Sequence, residues 1–366
     1  MDLITIIDAV GEGPALALGG VAVGAAFGFA AQRSRFCLRA ASIEFYHGQV
    51  GQKVAIWLMA FATAVVWTQA FILMGLLDVS EARQLAQRGS LSGAAIGGLM
   101  FGAGMIMTRG CASRLLVLSA TGNLRALLTG LVMAVTAQSA YRGALVPLRE
   151  TITAWWTIDG AGARDLLVIL GLGHGHALAF GIVWCGAAYV YAVRSRLPAS
   201  TWFTASGVGG MVAIGWLFTY AISQASFSPA RVTSITFTGP SADTLMFVLD
   251  QSRMVWNFDI GLVPGVFIGS LAGALLFKEF ELQGFKDGLS MRRYIVGAVL
   301  MGFGGMLAGG CAVGAGVSGG AIFAATAWIT LACIWLAAGV TDFLMDRETP
   351  AAAGVPTPES ASGRAG

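Results

Sequence analysis

Eight stretches of this chain are almost continuously apolar: Ala15–Ala31, Val54–Leu77, Leu91–Met107, Leu166–Val193, Val208–Ser223, Leu262–Phe277, Tyr294–Ala308 and Ala321–Val340. Each approaches or reaches the roughly 17–25 residues that cross a bilayer as a helix. A transmembrane β-barrel would instead alternate apolar and polar residues over segments of about ten. These runs do not alternate and are rich in Ala, Leu and Gly, so the pattern predicts an all-α polytopic membrane protein. It leaves the number of crossings between Leu91 and Arg142 open.

Composition points the same way. The 366 residues are 56% hydrophobic and 11% charged, with mean hydropathy +0.75, whereas a soluble domain carries roughly 25% charged residues. The net charge of +3 comes from basic residues in short loops between the apolar runs, so no nucleic-acid footprint is present. Met1–Val10 contains Asp2 and Asp8 and no Lys or Arg, unlike the basic start of a cleaved signal peptide, and the first apolar run is expected to stay as a span.

Sliding the sequence against itself by 200 residues sets Gly97–Ala112 over Gly297–Ala312. Gly97, Gly102, Gly104, Gly110, Cys111 and Ala112 then fall on Gly297, Gly302, Gly304, Gly310, Cys311 and Ala312. A looser match sets Gly20–Cys37 against Gly207–Ser228, with Phe36-Cys37 on Phe227-Ser228. The expected organisation is a first membrane repeat at 15–142, connecting helix and loops at 143–206, a second repeat at 207–341 and a disordered tail at 342–366. Many transporters are built from such repeats.

The basic residues orient the halves, because short cytoplasmic loops carry the Lys/Arg excess. Arg33, Arg35, Arg39 and Lys53 follow the first span, whereas Lys278, Lys286, Arg292 and Arg293 lie one span later in the second half. That offset predicts inverted repeats, with short re-entrant helices meeting at a central substrate path.

Two Gly-rich stretches interrupt apolar runs at membrane depth: Thr108–Arg114, and Gly309–Gly320. Non-helical backbone is tolerated there only where protein buries it or it lines an aqueous cavity. Freed N–H groups and helix N-termini at such breaks suit an anion. Close helix packing is the competing explanation for the glycines, above all Gly97–Gly104.

The five cysteines, at 37, 111, 185, 311 and 333, form no Cys-x-x-Cys pair and have no His cluster beside them, so neither a disulfide framework nor a zinc site is expected. Cys185 and Cys333 lie inside continuous apolar runs and read as packing residues. Cys111 and Cys311 occupy the Gly-rich breaks after Gly110 and Gly310, and Cys37 ends an apolar run among Arg33–Arg39. Thiols there could act as weak S–H donors, nucleophiles or soft metal ligands. Arg109 and Arg114 flank Cys111 where a charge is expensive, which favours an anion over a cation. Met105, Met107 and Met306 keep a soft metal as the alternative. His174 and His176 read as an interfacial loop, and Glu44, Glu279, Glu281 and Asp342 as solvated span ends.

Ser34-Arg35-Phe36-Cys37, then Arg109-Gly110-Cys111-Ala112-Ser113-Arg114 followed by Gly122-Asn123-Leu124-Arg125, and finally Gly309-Gly310-Cys311-Ala312-Val313-Gly314 resemble the YeeE/YedE family of sulfur-compound transporters. The likeness covers nearly the whole chain apart from the tail. It implies an hourglass-shaped body of inverted halves in a bacterial inner membrane, with thiosulfate passing Cys37, Cys111 and Cys311 by S–H hydrogen bonds and no cofactor. It also implies a possible cytoplasmic sulfur-carrier partner. The other classes weighed are a membrane sulfurtransferase or thiol oxidoreductase, a transporter of a selenium compound or soft metal, and a packing subunit without transport. A cofactor motif and a resolving Cys-x-x-Cys pair, which an enzyme of that kind would use, are not found in the sequence.

Overall fold

The computed structural model describes residues 10–49, 51–86, 89–159, 162–226, 231–250, 255–284 and 288–346. Nearly all regular structure is helical. Eight helical stretches are long and apolar enough to cross a membrane: Glu12–Tyr46, Gln52–Leu73, Leu91–Ala120, His174–Arg194, Ala199–Ala225, Phe258–Leu276, Met291–Gly319 and Ala325–Met345. The protein is a multi-pass α-helical membrane protein, and each apolar run of the sequence supplies one of these stretches.

Among the described residues the helices are α1 (Glu12–Ser34), α2 (Leu38–Tyr46), α3 (Gln52–Leu73), α4 (Arg83–Ala86), α5 (Leu91–Met107), α6 (Ala112–Ala120), α7 (Leu124–Arg142), α8 (Val146–Ala154), α9 (Leu166–Ile169), α10 (His174–Arg194), α11 (Ala199–Ala225), α12 (Thr238–Leu249), α13 (Phe258–Leu276), α14 (Gly288–Leu307) and, after a π-helix at Ala312–Gly319, α15 (Ala325–Asp346). A two-residue antiparallel ladder pairs β1 (Gly89–Ser90) with β2 (Thr157–Ile158). Side-chain oxygens of Ser90, Asn123 and Asn257 accept the amides of Gly93, Ala126 and Ile260 at 2.8, 2.9 and 3.0 Å, capping α5, α7 and α13. Each such cap is worth about 1 kcal/mol.

Missing side chains decide the packing. Helices α1 and α13 run parallel in backbone contact: a Cβ on Gly24 would meet the Leu262 carbonyl, and one on Gly265 the Val21 carbonyl. Helices α5 and α14 cross antiparallel. A Cβ on Gly97 would come within 2.5 Å of the Gly304 oxygen and one on Gly304 within 2.7 Å of the Gly97 oxygen, while Gly104 meets Gly297 in the same way. Without glycine the backbones could not approach this closely.

The two basic clusters share one end of the molecule. Glu279, after α13, lies 3.8 Å from Arg33 and 3.7 Å from Arg35, and accepts a 2.8 Å hydrogen bond from Gln32. The far end carries α8, with no buried residue, followed by the exposed Trp155 and Trp156, a composition typical of a membrane interface.

Several expectations change in detail. The Leu166–Val193 run is broken at Gly171, where φ is 67°, so α9 and α10 are separate. His174 and His176 begin α10 instead of lying in a loop, and His174 Nδ1 sits 3.0 Å from the buried Gln69. Residue 207, taken as the start of the second repeat, lies inside α11. Residues 342–346 continue α15, and the remainder of the expected tail lies outside the described residues, as do Phe227, Ser228 and Lys286. Asp342 is no solvated span end: it is 6% exposed and sits 2.9 Å from His47.

Candidate functional site

Three helices break, and a cysteine follows each break. At the end of α1, Arg35 is left-handed (φ 54°), with its amide on the Gln32 carbonyl and that of Phe36 on Ala31. At the end of α5, Arg109 is left-handed (φ 59°), with its amide on Ile106 and that of Gly110 on Met105. At the end of α14, Gly309 (φ 75°) and Gly310 repeat this with Met306 and Gly305. These are Schellman-type stops, which satisfy carbonyls that would otherwise be orphaned.

Two residues after each left-handed residue the chain restarts as a short helix, and its N-cap position is Cys37, Cys111 or Cys311. The amide three residues on, from Ala40, Arg114 or Gly314, is directed at the cysteine sulfur, closing to 3.4 Å at Cys311. The first-turn amides of the new helix and the positive end of its dipole therefore lie beside each thiol. The second and third breaks match at the 200-residue offset hydrogen bond for hydrogen bond, down to Leu115 and Ala315 donating to Cys111 and Cys311.

Cys37 and Cys111 are brought together, their thiols within direct interaction range, and both are buried. Ser113 Oγ is 3.3 Å from the Cys111 sulfur. Arg114 and Arg39 act electrostatically on Cys37. Both arginines are part-buried, and Arg39 Nε and Arg114 Nη1 are inaccessible to solvent and lack a hydrogen-bond partner among the described residues. A buried cationic N–H group without an acceptor is costly. Two of them beside paired thiols form a site suited to an anion.

Cys311 lies apart, because its turn is at the other end of the antiparallel α5–α14 crossing. Thr236 Oγ1 is 3.8 Å from its sulfur. The π-helix behind it is held by Ser318 Oγ donating to the Ile235 carbonyl (2.6 Å), Trp216 Nε1 donating to the Ser318 carbonyl (3.3 Å), and Arg83 donating to the Gly309 carbonyl. A π-helical segment of this kind often marks a functional site.

Of the residues singled out in sequence, Gly110 and Gly310 are buried in their turns and Arg114 reaches the thiol pair, whereas Arg109 is exposed. It nevertheless lies close enough to act electrostatically on the part-buried Arg39. Cys185 is exposed and Cys333 half-buried, whereas the other three are buried. Sequence reasoning passed over Arg39 as a topology signal, and it missed Thr236. The hydroxyl-rich Thr233-Ser234-Ile235-Thr236 between apolar runs was the available signal. Among the described residues, no group of three or more His, Cys, Asp or Glu is gathered to hold a metal ion.

A broken-helix membrane protein with partly buried arginines and thiols at its breaks is built like a solute transporter, in which interrupted helices face the substrate. Residues 33–340 match the family described as sulphur transport, and the chain belongs to that family. It is 27% identical over 347 residues, 90% of this chain and 94% of the relative, to the thiosulfate transporter TsuA of Escherichia coli (strain K12). It is 26% identical over 325 residues, 85% of this chain and 93% of the relative, to the thiosulfate transporter TsuA of Spirochaeta thermophila (strain ATCC 700085 / DSM 6578 / Z-1203).

Proposed function

We propose that this protein takes thiosulfate, or a closely related small sulfur anion, inward across a bacterial inner membrane along a path lined by Cys37, Cys111 and Cys311. The observation that carries the reading is the facing Cys37–Cys111 pair beside the unpartnered N–H groups of Arg39 and Arg114. The names of the two relatives support the choice of anion.

Thiosulfate has a soft terminal sulfur and charged oxygens. Neutral thiols donate weak S–H hydrogen bonds to it, while helix N-termini and arginines offset its charge. Cys311 with Thr236 forms one station and Cys37–Cys111 with Ser113 and the arginines another. Stations must bind firmly enough to replace water and weakly enough to release. No bond to sulfur is made or broken in this scheme.

The architecture is read as two inverted halves. The reciprocal Gly97–Gly304 and Gly104–Gly297 contacts support this, since a two-fold axis in the membrane plane exchanges the members of each pair. The shared end of the two basic clusters supports it independently and is taken as cytoplasmic. A sulfur-carrier protein receiving the anion there belongs to the same reading.

The test is growth on thiosulfate as sole sulfur source, in a bacterium that imports neither thiosulfate nor sulfate. Rescue at verified membrane abundance is expected. Failure to rescue, with accumulation of a different labelled sulfur or selenium compound, would replace the substrate and keep the path.

A further inference from the structure

At the end away from the basic clusters, two carboxylates each bury an oxygen that has no hydrogen-bond partner among the described residues. Asp243 on α12 is 8% exposed, and its Oδ1 is buried without a hydrogen-bond partner. Asp259, in the first turn of α13, also has a buried, unpartnered Oδ1, and the adjoining Thr244 has an unpartnered Oγ1. Helices α12 and α13 pack together, and the Asp243 carboxylate acts electrostatically on Asp259. Burying one unpaired carboxylate is costly, and placing two in range of each other compounds the cost unless one takes a proton.

A second feature ties this pair to the substrate path. Arg83 acts on Asp259 and also donates to the Gly309 carbonyl, the left-handed residue of the turn that presents Cys311. A change of charge at Asp259 is therefore felt by the guanidinium that holds the turn. The remaining charged groups acting on the pair are Arg231, on both carboxylates, and Arg142 of α7, on Asp243. Of the other helices packed on α12 and α13, α1 has no ionisable residue between Glu12 and Arg33, while Arg114 of α6 and Arg293 of α14 lie toward the basic end. Burial raises the Asp243 carboxyl above its ordinary range, with Arg142 and Arg231 opposing.

Energetics supply the reason for such a site. An inside-negative potential opposes anion entry by about fifty-fold per charge per 100 mV, and thiosulfate carries two charges. Each proton that travels inward with the dianion removes one charge from that opposition.

We propose that Asp243 and Asp259 form the proton-binding site that couples anion uptake to proton entry, with Arg83 relaying its charge state to the Cys311 turn. This rests on the sulfur-anion transport reading above. The proton enters a shared carboxylate pair from the outer side when the anion is taken up and leaves on the inner side with its release, and no covalent chemistry is involved.

The test uses the purified full chain in liposomes with the membrane potential clamped. Labelled thiosulfate is followed first by counterflow at equal pH, then as accumulation with the outside made acid. Wild type is expected to accumulate label in response to the gradient, by up to about tenfold per pH unit and proton carried. Asp243→Asn and Asp259→Asn should lose that response while counterflow stays within about threefold of wild type. Wild-type accumulation that ignores the pH gradient, a sodium gradient that replaces it, or Asn variants that still respond would each overturn the proposal. Absence of counterflow in wild type would instead bring down the transport reading, and this proposal with it. Should the variants fail to reconstitute, a pH dye inside wild-type vesicles decides: thiosulfate added outside must acidify the lumen, and an unchanged lumen overturns the proposal.

Discussion

Gly97 and Gly304 meet backbone to backbone where α5 and α14 cross, and a side chain on either would enter the other's carbonyl oxygen. The same crossing holds the Cys111 and Cys311 turns at its opposite ends, so its geometry sets where both thiols stand. Gly97→Ala or Gly304→Ala is expected to cost about 1–3 kcal/mol through overpacking. Thermal unfolding in detergent should show a lowered midpoint for both, while Gly130→Ala, on an open face of α7, should match wild type.

The arginines should separate by burial. Arg39→Gln and Arg114→Gln remove charged donors worth about 1.5–3 kcal/mol each to a bound anion, and labelled thiosulfate uptake should show KM raised about tenfold or more. Arg109→Gln, exposed beside the same cysteine, should leave KM within about twofold, because screened surface charge contributes little. Equal effects at Arg109 and Arg114 would contradict the placement of the anion.

Thr236→Val keeps the shape of the side chain and deletes the hydroxyl 3.8 Å from the Cys311 sulfur. A KM increase of about three- to tenfold with an unchanged unfolding midpoint is expected, in line with loss of one neutral hydrogen bond. A lowered midpoint with unchanged KM would make Thr236 a packing residue only.

The helical membrane architecture was legible because apolar runs of spanning length need no partner to be recognised. The two Gly-Cys breaks were legible because Gly110-Cys111-Ala112 recurs as Gly310-Cys311-Ala312. Side-chain direction was not. Arg109 and Arg114 look alike in sequence, yet Arg109 is exposed while Arg114 is half-buried and acts on Cys37. Thr236 was hidden for a different reason: it sits in an extended segment after α11 that has no helical period, and only the tertiary fold brings it to Cys311. Asp342 was read as solvated because it ends an apolar run, but α15 carries it into contact with His47.

The most direct test of the cysteine-lined path is labelled thiosulfate uptake into cells by Cys37→Ala, Cys111→Ala and Cys311→Ala, set beside Cys185→Ala and Cys333→Ala at equal membrane abundance and equal unfolding midpoint. The first three should each lose uptake by about tenfold or more and the last two stay within about twofold of wild type, the loss reflecting a missing partner for the anion at each station. Wild-type uptake by the three path variants would contradict the account.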